Sequence, residues 1–190
     1  MLPEKAKTIL SGAEAKMKDA VSFLEEDLKT YRVGKASPSI LNDVMVDYYG
    51  VPTPLPQAAS VSTTDARTIL VQPWDKSMLS KIAKAIQDAN LGFTPSNNGE
   101  VIRCTVPALT EDTRKELSKK AKAAGENAKV VVRNARREAV DALKKAQKSG
   151  TEITEDAEAE GEEEAQKLTD KFVKEIDNLV AAKEKDMMTV

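Results

Sequence analysis

Residues 110–150 of the chain read TEDTRKELSKKAKAAGENAKVVVRNARREAVDALKKAQKSG. Apolar residues recur in this stretch at intervals of three and four, which is the spacing of an amphipathic helix. The pattern begins after Thr110, a residue suited to cap a helix N-terminus, and ends at Ser149 and Gly150. It predicts one uninterrupted helix roughly 55 Å long. The face expected to be buried consists of Leu117, Ala121, Ala124, Ala128, Val131, Ala135, Ala139, Ala142 and Ala146.

Two further stretches have the same helical period. Residues 4–31 predict a first long helix, and a third is expected to begin at the cap Thr154, with Ile153 as an apolar staple before it. A long helix with one apolar face is unstable alone in water, so the three helices are expected to form one bundle. The expected buried residues are Ala6, Leu10, Ala13, Met17, Ala20, Leu24, Leu28 and Tyr31 in the first helix, and Ala165, Leu168, Phe172, Ile176 and Leu179 in the third.

The segment between the first two long helices follows a different pattern. Val44, Val46 and Tyr48 alternate with mostly polar neighbours, which predicts a strand. Residues 49–54 contain glycine and two prolines, which predicts a turn-rich exit from it. The remaining expected elements are strands at residues 59–62, 68–72 and 101–106, and a short helix from Asp75 or Ser77 to residues 90–92.

These patterns predict an α+β fold with two domains. Residues 1–32 and 107–190 are expected to form a long three-helix bundle, into which residues 33–106 insert as a small β/α/β domain. The chain crosses between the domains near Gly34 and near Pro107, and two thin adjacent crossings indicate a hinge. Within the inserted domain, Trp74 is expected to anchor the sheet to its helix.

The composition excludes most catalytic classes. The 190 residues include no His and a single Cys, which removes nucleophile–histidine pairs, histidine zinc sites and a disulfide framework. Cys104 lies in an apolar strand pattern and is expected to be a buried structural thiol. No glycine-rich phosphate loop occurs either, so no catalytic group, metal or cofactor is expected. The N-terminus is charged and lacks an apolar targeting segment, and no apolar run is long enough to cross a membrane, which favours a soluble cytoplasmic protein.

Basic residues are concentrated in the helix at 110–150, which carries twelve Lys and Arg against six Asp and Glu. An ordinary solvated helix face is one interpretation, but such a face usually mixes charges of both signs. The densest part, residues 133–137, favours a polyanionic partner, because guanidinium groups bind phosphate bidentately. The helix contains no aromatic residue, which favours contact with an RNA or DNA backbone over base stacking. One continuous basic stripe is expected from Lys115, Lys119, Lys122, Lys129, Arg133 and Arg136.

The stretch 151–164 is the opposite case, with eight acidic residues and no basic one. Acidic side chains stabilise a helix N-terminus, so a structural role is the first interpretation. A metal site is disfavoured because the spacing of the carboxylates matches no metal-binding loop. A surface that repels nucleic acid is the other alternative.

Several segments resemble the signature segments of the ribosome recycling factor family. They are YRVGKASPS at 31–39, YYGVPTPL at 48–55, PALTE at 107–111, VRNARRE at 132–138 and QKLTD at 166–170. The resemblance implies an L-shaped molecule in which two hinge strands join a three-helix bundle to a small β/α/β domain. Val33, Gly34 and Pro107 fall at the hinge.

The same resemblance implies a non-enzymatic role after termination of translation. Such a factor binds the vacated ribosome through large-subunit ribosomal RNA and, with elongation factor G and GTP, splits it into subunits. A chain of this kind is expected to act as a monomer, with no membrane and no small-molecule substrate.

The resemblance also implies particular RNA contacts. Arg136 matches the family's critical RNA-contacting arginine, while Lys122 and Lys129 stand where arginine is common in the family, which weakens bidentate contact there. The other matching basic positions are Arg133, Arg137, Arg114 and Arg32. A helical scaffold that holds protein clients is the alternative from a different class, and it predicts an exposed apolar groove with weak salt dependence.

Overall fold

The computed structural model describes residues 1–31, 34–150 and 152–189. They form two compact units: one joins Met1–Tyr31 to Asp112–Thr189, and the other contains the described residues from Gly34 to Glu111. Within these residues, no helix is both long and apolar enough to cross a membrane. The elements in chain order are α1 (Glu4–Lys29), β1 (Met45–Tyr48), β2 (Val51–Pro54), α2 (Leu55–Ala58), β3 (Ala59–Asp65), β4 (Thr68–Pro73), α3 (Leu79–Asp88), β5 (Pro95–Asn97), β6 (Ile102–Thr105), α4 (Glu111–Lys148) and α5 (Glu155–Met188).

The first unit is a bundle of α1, α4 and α5. Lys16 of α1 pairs with Glu138 of α4, and toward the end of α1 the side chain of Leu24 lines a groove with Ala128. These contacts run in opposite directions along the two helices, so α1 and α4 are antiparallel. The three long helices and the small β unit confirm the predicted α+β fold.

Two glycines bring α4 and α5 close together. A Cβ added at Gly125 would lie 2.6 Å from Val180 Cγ2, and one added at Gly161 would lie 2.8 Å from Leu143 Cδ1. Both positions are buried in helix interiors, where glycine is otherwise unfavourable by about 1 kcal/mol relative to alanine. The close approach of the two helices is the packing reason for glycine at both sites.

The N-terminus of α5 is capped by Thr154, as expected. The Thr154 hydroxyl accepts a hydrogen bond from the Ala157 N–H at 3.2 Å, and Ile153 is buried in a cluster with Ala6 and Leu143. Expected core residues Ala165, Phe172 and Ile176 are buried, but Leu168 and Leu179 are only half-buried. Thr169 takes an inner position instead, with its hydroxyl bonded to the Ala165 carbonyl oxygen at 2.8 Å.

The expected core face of α4 is partly wrong. Val131 is 48% exposed, while Val132 and Leu143 are fully buried. Three consecutive valines at 130–132 satisfy several helical registers equally well, so local periodicity does not distinguish them. The neighbouring helices decide which valine faces inward.

The second unit contains a four-stranded antiparallel sheet in the order β3–β4–β6–β5, together with the β1–β2 hairpin. In β4 the buried side chains alternate, with Ile69 and Val71 facing a core that they share with Ile82 and Ile86 of α3. Cys104 of β6 pairs with Ile69 and is fully buried, as expected. Burial raises the pKa of its thiol to about 11, which keeps it protonated.

Two expectations for this unit are wrong. Residues 49–54 are not simply a turn-rich exit, because Val51–Pro54 forms β2 and pairs with β1. Pro52 and Pro54 are tolerated because alternate residues of a two-stranded ribbon direct their backbone nitrogens outward. Trp74 is not an anchor, since it is 67% exposed: it continues the alternation of β4 and falls on the face opposite Ile69 and Val71.

Candidate nucleic-acid interface

The buried positions of α4 determine which way its basic side chains point. Val132, Ala135 and Ala139 point into the bundle, which directs Arg133 and Arg137 outward and leaves Arg136 at the margin of the core. We refer to Arg133, Arg136 and Arg137 as the arginine cluster. No acidic residue occurs from Asn127 to Arg137, so the cluster has no carboxylate on its own helix until Glu138. Glu138 itself pairs with Lys16, which lowers the pKa of its carboxyl.

Arg136 is held in place by α5. Its Nη1 donates to Gln166 Oε1 at 3.1 Å, and Gln166 Nε2 donates in turn to Asp170 Oδ1 at 2.8 Å. This chain of side-chain bonds orients a half-buried guanidinium while leaving it without a direct carboxylate partner among the described residues. Sequence reasoning did not find Gln166 and Asp170 as supports for Arg136, although both lie in the QKLTD segment that carries part of the resemblance.

The other two members of the cluster are less constrained. Arg137 Nη2 is 3.4 Å from Asn134 Oδ1, a long contact, and Arg133 has no hydrogen bond or ion pair with any residue that the structure describes. Both side chains are exposed. Their guanidinium donors are therefore available to an external acceptor.

The lysines of the expected stripe have a different environment. Lys129 Nζ lies 2.5 Å from Asp177 and 3.1 Å from Glu126, its side chain is only 15% exposed, and hydrogen bonds to these two carboxylates raise its pKa. Lys122 Nζ lies 3.3 Å from Glu184. The middle of the stripe is thus neutralised by carboxylates of α5 as well as α4, and the stripe is not one continuous positive surface.

The remaining predicted residues lie nearer the start of α4 or outside the described residues. Arg114 is half-buried, and its Nε is buried without a hydrogen-bond partner among the described residues. Gly34, with a φ of +72°, lies against the backbone of Pro107 and Leu109. Arg32 and Val33 lie outside the described residues.

The acidic run at 151–164 is paired with cations of the same unit. Glu152 pairs with Lys5, Glu162 lies 3.2 Å from Lys144, and Glu160 lies 3.6 Å from the terminal amine. The described residues contain no group of three or more His, Cys, Asp and Glu that could hold a metal ion. These pairs, with Glu155 and other acidic residues in the first turn of α5, give the run a structural role.

Comparison with known proteins relates this architecture to one family. The model of the family described as ribosome recycling factor matches residues 24–188. The ribosome-recycling factor of Caldicellulosiruptor saccharolyticus is 54% identical over 178 residues, covering 94% of this chain and 96% of that protein. That of Parabacteroides distasonis is 52% identical over 184 residues, covering 97% and 98%.

Solved structures agree with these relatives. A solution structure of the ribosome recycling factor is 36% identical, covers all of both chains and superposes with a TM-score of 0.79. The T. thermophilus ribosome recycling factor, from models that place it with E. coli elongation factor G on the E. coli post-termination complex, is 38% identical with a TM-score of 0.62. That comparison covers 99% of this chain and 100% of the other.

The helical bundle with its small β unit is therefore the architecture of a translation factor rather than of an enzyme. The chain belongs to the ribosome recycling factor family.

Proposed function

We propose that this chain binds the post-termination ribosome through large-subunit ribosomal RNA and, with elongation factor G and GTP, promotes its dissociation into subunits. The observation that carries the proposal is the arginine cluster: three guanidinium groups on one helix segment, without a carboxylate partner among the described residues. The family membership, and the T. thermophilus relative placed with elongation factor G on a post-termination complex, support the choice of partners. The chain would act as a monomer in the cytoplasm, where ribosomes are recycled.

The arginine cluster matches the chemistry of an RNA backbone. A guanidinium fork binds phosphate oxygens bidentately, and the fixed orientation of Arg136 lowers the entropy lost when it makes such a contact. Arg133 and Arg137 add donors that need not leave an existing ion pair. We assign these three residues the largest share of the RNA contacts.

The other basic residues would contribute less. Lys122 and Lys129 would have to exchange their α5 carboxylates for phosphate, which offsets much of the gain. Arg114 would contribute from its half-buried position near the start of α4, and Arg32 is proposed as a contact from the family pattern alone.

Dissociation of the ribosome would follow from differential affinity. A folded bundle that occupies space in one ribosomal state and not in another shifts the equilibrium between them. Elongation factor G would supply the directed movement from GTP hydrolysis. Val33, Gly34 and Pro107 are proposed as the hinge through which the small unit is moved.

Replacing Arg133, Arg136 and Arg137 together by alanine tests the proposal. We expect the variant to keep its helical circular dichroism and its melting temperature within a few degrees, but to lose co-sedimentation with vacated ribosomes and subunit splitting. With about four phosphate contacts, the affinity of the unaltered chain should fall roughly 100-fold between about 50 and 200 mM salt, and any residual binding of the variant at low salt should show a shallower slope.

The matched control removes three positive charges elsewhere. Lys7, Lys18 and Lys29 on α1 each pair with a carboxylate three or four residues away, and their triple alanine variant has the same net charge as the arginine variant. It should bind and split ribosomes nearly normally. Equal losses in both variants would mean that only net charge matters, and a salt-independent affinity would favour the protein-scaffold alternative.

A further inference from the structure

An apolar groove lies between α1 and α4, within the bundle. Its volume is about 310 Å³, and its floor is formed by small or buried side chains, including Ala20, Leu24 and Ala128. Phe23 stands at its edge with 78% of its surface exposed, and Val131 borders it from α4. Phe23, Val131 and the groove between them form a contiguous exposed apolar patch, and such a patch on a protein surface marks an interaction site.

The charged side chains that flank Phe23 on α1 are both acidic. Asp19 and Asp27 lie one turn before and one turn after Phe23, on the same side of the helix. Asp19 is exposed and has no hydrogen bond or ion pair among the described residues, while Asp27 accepts the Tyr31 hydroxyl at 3.1 Å. Lys120 of α4 lies 4.9 Å from the Tyr31 ring, beyond Asp27, and Lys29 is paired with Glu26. The α1 side of the groove around Phe23 therefore presents carboxylates, which repel phosphate and attract cations.

The apolar groove and the carboxylates beside it together indicate the type of partner. RNA does not satisfy the charge requirement, because its backbone is anionic and this rim offers carboxylates. A positively charged polypeptide segment that carries a large apolar side chain satisfies both: the side chain fills the groove beside Phe23, and its flanking lysines or arginines meet Asp19 and Asp27. The arginine cluster and this groove would then serve two different partners.

We infer that the groove at Phe23 is a docking site for a basic, apolar segment of another protein. The site does not depend on the arginine cluster and lies wholly within the bundle unit. It is separate from the proposed RNA contacts, and its test uses no ribosome, so either proposal can fail without the other.

The test measures binding of labelled peptides to the full chain by fluorescence anisotropy. The first probe is an 18-residue amphipathic helix of lysine and leucine, the second replaces each leucine by serine, and the third replaces each lysine by glutamate. We expect only the first to bind well. Phe23→Ser should weaken its binding by about tenfold or more, and Asp19→Asn should weaken it less while reducing its salt dependence.

Val51→Ser provides the matched control, because Val51 is 61% exposed but belongs to the other unit. Its peptide affinity should equal that of the unaltered chain. Because Phe23 is exposed, Phe23→Ser should also leave the melting temperature nearly unchanged.

Three results would overturn the inference. Equal binding of the lysine–serine probe would show charge attraction without use of the groove. Unchanged affinity in Phe23→Ser would place the peptide elsewhere on the molecule. Self-association of the chain that Phe23→Ser abolishes would show that a second copy covers the groove.

Discussion

Gly34 combines a backbone conformation and a close contact that both require glycine. Its φ of +72° is in the left-handed region, and an added Cβ would lie 3.1 Å from Leu109 N and 3.2 Å from Leu109 Cγ. The two segments proposed as hinge strands are therefore in contact within the second unit. A side chain at position 34 would both strain the backbone and separate the segments.

We expect Gly34→Ala to lower the free energy of unfolding by about 2 kcal/mol, measured by urea denaturation. Gly50→Ala is the control, because Gly50 has a φ of +86° but nothing within 4 Å of an added Cβ. It should cost about 1 kcal/mol, from backbone strain alone. Equal costs at the two positions would contradict a role for the contact with Leu109.

Individual positions differ in whether local sequence pattern can predict them. Capping by Thr154 was predicted because it depends on neighbours within a few residues along the chain. Burial of Cys104 was predicted because the apolar strand pattern around it is typical of a buried strand, although the residues that cover it come from other elements. The orientation of Arg136 was not predicted, because its partner Gln166 lies on another helix.

At the scale of helices, the α4–α5 contact depends on Gly125. An added Cβ would lie 2.6 Å from Val180, whose β-branched side chain has few alternative rotamers. We expect Gly125→Ala to destabilise the bundle by about 1–2 kcal/mol despite the better helix propensity of alanine, as measured by urea denaturation.

Gly12→Ala is the matched comparison in α1. Gly12 is exposed, and an added Cβ would have nothing within 4 Å, so the substitution should stabilise the bundle by about 0.5–1 kcal/mol. If both substitutions stabilised the protein, the close contact with Val180 would not contribute to the free energy of unfolding.

The ion pair between Lys129 and Asp177 allows a test of the lysines proposed as weaker RNA contacts. Asp177→Asn removes the nearer of the two carboxylates and leaves Lys129 paired only with Glu126 of its own helix. Lys129 should then exchange its remaining partner for phosphate more readily, which raises ribosome affinity by about two- to fivefold and steepens its salt dependence. Co-sedimentation across a salt series measures both. Glu4→Gln makes the same charge change on α1 and should have little effect, and an unchanged affinity in Asp177→Asn would remove Lys129 from the proposed contacts.

At the scale of the whole molecule, the arginine cluster lies entirely within the bundle unit, whereas the other unit has its own core. We expect a chain in which a short Gly/Ser bridge replaces residues 37–103 to fold cooperatively into a helical bundle. It should co-sediment with ribosomes and fail to split them with elongation factor G, because it lacks the unit on which that factor is proposed to act.

Light scattering would measure subunit splitting, and circular dichroism would establish that the shortened chain is folded. Splitting at the normal rate would show that the bundle alone suffices and that the small unit is not a lever. Loss of ribosome binding in a folded bundle would instead place essential contacts in the deleted unit.

Features that arise within one helix or strand could be predicted from local sequence pattern. Three long helices, the alternation of β4 and the arginine cluster follow from spacings of two, three or four residues, because those spacings reflect backbone geometry alone. The same local pattern predicted Thr154 as the N-cap of α5.

The contacts between helices and between strands could be assigned only from the folded molecule. Local pattern could not distinguish Val132 from Val131, and it predicted a turn-rich exit where Val51–Pro54 forms β2. It also placed Lys129 on an open basic stripe although Asp177 neutralises it. Each of these outcomes depends on a neighbour from another element. Such neighbours are set by packing of the whole bundle or sheet, which short-range periodicity does not encode.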